Sequence, residues 1–243
     1  MNASLIVGVY MAFTGATVGS FLLVLGTRES YLDSLFGRSA CTNCGETLRV
    51  IDLIPILSYL LLCGRCQYCK CRLPIYYFIV EVLCGALFLL SWTIIGFQLE
   101  LLVALLLISL LVLISITDLH RMLIPSSMLL GLAIPLLILR LIYLPSYEIT
   151  SYFLVISLSV LIVLILSSWL NKLGGGDVKL FLLLMILFGI ELLLFILLFS
   201  SLFTLVFAFI FIKKRRLAVE SKIPFAPFIS LATLLVYFYS IQF

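Results

Sequence analysis

The chain has 243 residues, of which 65% are hydrophobic and 11% charged, with a formal net charge of +4. Soluble domains carry charge on roughly a quarter of their residues, so this composition excludes an ordinary globular protein and implies a polytopic membrane protein. In such a chain the small positive balance sets topology, and nucleic acid is not implied as a partner.

Crossing the hydrocarbon layer as helix takes roughly 20 apolar residues. In chain order, segments that meet or approach this length fall at 4–26, 73–95, 99–117, 125–144, 149–170, 178–189, 190–212 and 225–242. The expected fold is all-α, with about eight transmembrane helices, one of them short. Segment 4–26 has no preceding Lys or Arg and no small-residue cleavage pattern, so it reads as a retained span. Stretch 178–212 is too long for one crossing; Gly189 and the isolated Glu191 mark the expected outer turn.

With the amino terminus outside, loops 27–72, 118–124, 171–177 and 213–224 face the cytoplasm. Counting Lys179 in the following turn, they hold every Lys and Arg except Arg140. The opposite orientation would put "KKRR" at 213–216 on the wrong face. Both termini are then extracytoplasmic and lipid surrounds the spans. Three regions follow: a first helix at 1–26, a cytoplasmic insert at 27–72, and a membrane-embedded domain at 73–243. The insert is too small to build a self-sufficient core and needs a staple.

Six of the seven cysteines lie in that insert: "CTNC" gives Cys41 and Cys44, and "CGRCQYCKC" gives Cys63, Cys66, Cys69 and Cys71. A CxxC turn brings two thiolates to one ion, and two such knuckles complete a closed tetrahedral zinc site. The expected ligands are Cys41, Cys44, Cys66 and Cys69. Cys63/Cys66 is an alternative pair, and Cys71 a competing thiol. Disulfides rarely persist in the cytoplasm, which favours the metal. A closed four-thiolate site leaves no corner for substrate, so the expected role is structural. Cys84, inside the second span, reads as a small apolar packing residue.

Among the acids, Glu29, Asp33, Glu46, Asp52, Glu148 and Glu220 lie in loops, while Glu100 and Glu191 mark outer turns. Glu81 is inside a span, where a carboxyl needs a polar partner, and a structural hydrogen bond is its expected role. Asp118 closes the third span in "SITDLHRMLIP", and Asp177 opens the sixth in "NKLGGGDVKLF". Alone, Asp118 is a boundary residue and Asp177 an N-cap. Together, at one membrane face and beside glycines that allow close backbone approach, they suggest a carboxylate dyad that activates water and protonates a leaving amine. The helix ends and Lys179 point to Asp177 as the charged member and Asp118 as the protonated one. His120 reads as a solvated boundary residue.

"GGGDVK" contains the GxGD signature of intramembrane aspartyl proteases, and with Asp118 upstream the chain resembles the type IV prepilin leader peptidases. The same order of motifs includes "GATVGSFL" from Gly15, "RSACTNC" from Arg38, "DLIPILSYLLLCGRCQYC" from Asp52, "YYFIVE" ending at Glu81 and "IPFAPFI" from Ile223. The resemblance implies a bacterial cell-membrane enzyme whose catalytic pair is Asp118 and Asp177, and whose substrates are prepilins or pseudopilins with a short basic leader. Many members also N-methylate the new amino terminus with S-adenosylmethionine. Insert 27–72 has no glycine-rich nucleotide loop, so methylation rests on resemblance alone. Cys63 and Cys71 are extra thiols, and Ala226 stands where a glycine is common. Two rivals remain: a proton-coupled transporter or channel using Glu81, Asp118 and Asp177, and a noncatalytic zinc-knuckle assembly factor. Acids near mid-membrane on several spans would favour the first, and essential cysteines with dispensable aspartates the second.

Overall fold

The computed structural model describes residues 3–28, 39–41, 43–143, 175–213 and 223–242. The expected span 149–170 lies outside these residues, as does most of the "KKRR" loop. Seven α-helices occur among them: α1 (Ala3–Thr27), α2 (Leu57–Leu61), α3 (Ile75–Ile95), α4 (Leu99–Arg121), α5 (Ser126–Tyr143), α6 (Gly175–Lys213) and α7 (Ala226–Gln242). Helices α1, α3, α4 and α6 are long and apolar enough to cross a membrane, and α5 and α7 are shorter apolar helices. The chain is a multi-pass membrane protein of helical class. Two compact units divide it, Met1–Ile116 and Thr117–Phe243, with the boundary inside α4.

In the first unit α1 packs along α3, and small residues decide how closely. Lipid tails are as apolar as leucine, so two membrane helices associate by van der Waals contact, which small residues permit. Gly15 and Gly19 of "GATVG" stand four apart on one face of α1. A Cβ on Gly15 would fall 2.6 Å from the Cys84 carbonyl oxygen and 2.7 Å from Phe88, and one on Gly19 would fall 2.9 Å from the Cys84 Cβ. Gly85 returns the contact, since a Cβ there would meet the Ala12 carbonyl at 2.8 Å. Cys84 is thus buried as a packing residue. Leu5, Val9, Tyr10 and Phe13 lie exposed on α1, as a lipid-facing surface requires. Pro74 caps the start of α3, and Gly96 ends it at a φ of 71°, its N–H donating to the Trp92 carbonyl at 2.9 Å.

In the second unit α6 is interrupted at Gly189, whose φ of 77° and ψ of 178° are not helical. Ring contacts with α7 show what the break does. Phe181, early in α6, meets Phe225 just before α7; Phe188, beside the break, meets Tyr237 towards the far end; and Phe207, late in α6, meets Phe228 near the start again. The two arms of α6 therefore run in opposite directions along α7, and Gly189 is the expected reversal. Only glycine enters that region of φ/ψ freely.

Candidate active site and thiol cluster

Helix α4 runs one turn further than the apolar pattern suggests, because polarity at Asp118 does not stop it. The stop comes at Met122, which adopts a φ of 51° while its N–H bonds to the Asp118 carbonyl at 2.9 Å. Asp118 consequently sits in the last turn of the helix and is only 7% exposed. A buried carboxyl needs a donor, and α7 provides it: the Ala226 N–H donates to Asp118 Oδ2 at 2.9 Å. Ala226 is the first residue of α7, so its N–H has no acceptor within the helix, and the partial positive charge of that helix end faces the aspartate. Ala226 itself is fully buried, so only a small side chain lets the main chain come this close.

Asp177 lies in the first turn of α6 and is half-buried. Its carboxyl is near enough to Asp118 for the two charges to interact. Gly176 makes the approach possible, since a Cβ there would lie 2.9 Å from the Cβ of Ile124, in the segment linking α4 to α5. Lys179, two residues after Asp177, donates from Nζ to Ser126 Oγ of α5 at 2.7 Å. His120 is exposed. Chain order placed Asp118 only at a helix C-terminus; the N-terminus of α7 opposes that end's field, and Lys179 is engaged by a hydroxyl. Ala226 was missed as a site residue, although "IPFAPFI" was the signal that contained it.

Glu81 has the expected structural partner. It is 8% exposed, and its Oε2 accepts the N–H of Ile56 at 2.8 Å. Ile56 stands at φ 65° and ψ −53°, at the centre of a tight turn in which the Leu57 N–H donates to the Pro55 carbonyl at 2.6 Å. A β-branched residue is rarely found there and is strained. Glu81 therefore ties the strained corner of the insert to α3.

The insert is built from two knuckles with one hydrogen-bond pattern. In the first, the Cys41 N–H donates to the Glu46 carbonyl and the Gly45 N–H to the Cys41 carbonyl; in the second, the Cys66 N–H donates to the Cys71 carbonyl and the Lys70 N–H to the Cys66 carbonyl. Flanking pairs match too, Ala40 with Thr47 and Arg65 with Arg72. Gly45 and Lys70 take equivalent positive φ values of 72° and 57°. Cys66 is thus the counterpart of Cys41, Cys69 of Cys44, and Cys71 of Glu46. Cys63 is exposed and lies outside both knuckles.

The thiols of Cys41, Cys66, Cys69 and Cys71 lie within 4.8 Å of one another. Cys44, expected in that set, is exposed, and its thiol reaches those of Cys41 and Cys69. Main-chain N–H groups of Cys44 and Asn43 favour the Cys41 thiolate and hold its pKa down. The Cys71 N–H, then its thiol, bring Cys69 down to about 6, while sharing its proton with Cys69 pushes Cys71 up to about 12. Converging thiols with main-chain N–H support are the donor set that suits zinc, and these residues fit such an ion.

A helical membrane protein with two aspartates brought together at helix ends, and a separate thiol cluster, is the class that fold and site define. The chain belongs to the type IV leader peptidase family: the profile of that family matches residues 105–209, and the profile of the bacterial peptidase A24 N-terminal domain matches residues 13–95. The prepilin leader peptidase/N-methyltransferase of Bacillus subtilis (strain 168) is 32% identical over 93% of this chain and 91% of its own length. Proteins of the same name from Myxococcus xanthus and Vibrio cholerae are 39% identical over 49% of this chain and 36% of the relative, and 28% identical over 69% and 68%. No solved structure matches the chain at a significant level.

Proposed function

We propose that the chain is a membrane-embedded aspartic endopeptidase that cleaves the basic leader from type IV prepilins or pseudopilins at the cytoplasmic membrane face. The observation that carries this reading is the buried Asp118 carboxylate, held by the Ala226 amide and within electrostatic reach of Asp177. Asp118 and Asp177 are the catalytic pair. The Ala226 donor favours Asp118 as the charged member, which reverses the assignment from helix ends alone. Asp118 then takes a proton from water as its oxygen attacks the scissile carbonyl, and Asp177 supplies the proton that the departing amine needs. Positioned proton transfer of this kind accelerates a step by roughly 10²- to 10⁴-fold. Glu81 is committed to the Ile56 amide, which argues against an ion path through all three acids.

The finer topology belongs to the same reading: about eight crossings, both termini outside, and insert 27–72 in the cytoplasm, a structural metal site on an enzyme whose membrane domain is 73–243. Zinc, when bound, supplies a cross-link between the two knuckles, and Cys41, Cys66 and Cys69 would hold it with Cys44 or Cys71. N-methylation of the new amino terminus, with S-adenosylmethionine as donor, is proposed from the names of the relatives and the family resemblance, and no residue of this chain is assigned to it.

Co-expression with a prepilin, followed by mass measurement of the product, tests the reading. Leader loss with the native chain and none with Asp118→Asn or Asp177→Asn is the expected result. Full processing by both variants would overturn it, and a further methyl on the mature terminus would establish the transferase activity.

A further inference from the structure

A tetrahedral metal ion takes four thiolates, and five thiols gather at the insert. Zn–S bonds of about 2.3 Å put the sulfurs of a tetrahedron roughly 3.8 Å apart. Two pairs already have that spacing, Cys41 Sγ to Cys69 Sγ at 3.8 Å and Cys41 Sγ to Cys71 Sγ at 3.8 Å. Cys44 lies near enough to interact with the thiols of Cys41 and Cys69, two that Cys71 also approaches. The knuckle repeat gives Cys44 a place equivalent to Cys69. It gives Cys71 the place of Glu46, on the outgoing chain but folded back within 4.8 Å of Cys41, Cys66 and Cys69. One corner thus has two claimants, one from each knuckle.

We infer that Cys41, Cys66 and Cys69 hold three corners of the metal site and that Cys44 and Cys71 exchange at the fourth. This rests on the metal reading above. Each exchange forms one metal–sulfur bond and breaks another; the incoming thiol gives up a proton and the outgoing thiolate takes one up, so the charge of the site is unchanged. One thiol is always free, and the ion changes its ligand without leaving the insert.

Cobalt(II) loaded into the full chain in detergent micelles reports the thiolate count through its sulfur-to-metal charge-transfer band. Cys44→Ser and Cys71→Ser should each bind one cobalt with the native band, and the double variant should lose about a quarter of it, one thiolate in four. A band that falls in Cys44→Ser and is unchanged in Cys71→Ser, or the reverse, would overturn the exchange. The native zinc-loaded chain gives a reading independent of any substitution. Under brief maleimide labelling, exposed Cys63 should react throughout, while Cys44 and Cys71 each react in part and never together in one chain. Label confined to one of the two excludes sharing. If cobalt gives no such band and a chelator leaves labelling unchanged, the metal reading itself fails, which is a separate result.

Discussion

The two knuckles of the insert close through hydrogen bonds between residues a few positions apart, whereas Asp118 is held by an amide 108 residues further along the chain. The first kind of site is a local object, repeated in one short segment and recognisable from its spacing. The second exists only when α4, α6 and α7 have all packed. A local site can be tied by an ion and tolerate movement in the surrounding helices; an assembled one loses its chemistry when a helix end shifts by about 1 Å.

That contrast predicts a graded series of effects. The largest belongs to the carboxylates: Asp118→Asn and Asp177→Asn should each lower leader cleavage by about 10³-fold or more, while metal content stays native. Product mass and metal analysis of the same samples read both. Next, Gly176→Ala should cost about 10²-fold in cleavage, because its Cβ would collide with Ile124. Partial rescue in a Gly176→Ala, Ile124→Gly double variant would identify the collision as the cause, and no rescue would count against it.

Replacing Cys41 and Cys66, two of the proposed metal ligands, together by serine should abolish metal binding and increase hydrogen exchange across residues 43–72, yet lower cleavage only about tenfold. If cleavage falls as far as in the aspartate variants, the two sites are not separable in this way. Gly15→Val should act on stability instead, lowering the melting temperature by about 5 °C as α1 is forced away from Cys84 and Phe88. The smallest effect is expected at Ala226: glycine retains the N–H that serves Asp118, so Ala226→Gly should change cleavage by less than about twofold, whereas proline, which lacks that N–H, should approach the Gly176 variant.

Much of this was legible in the sequence for physical reasons that can be named. A continuous apolar run must be helical in lipid, because every main-chain polar group has to be satisfied within its own segment, and α1, α3, α4, α5 and α7 lie where such runs occur. Gly189 was legible as a reversal because the run around it was too long for one crossing. The paired CxxC spacings revealed the knuckles. Cys66/Cys69 was the expected second pair, but Cys63/Cys66 has the same spacing and stayed open. Among the described residues the knuckle hydrogen bonds repeat around Cys41 and Cys66.

By itself the sequence determined the helical membrane class, the thiol-rich insert and the two aspartates, because each depends on residue type and short-range spacing. Tertiary structure alone decided which group stabilises which carboxylate, that Glu81 secures Ile56, and that Cys71 joins the thiol cluster. Those are contacts between segments, and a donor such as the Ala226 amide is carried by every residue except proline, so no letter in the sequence marks where it will point.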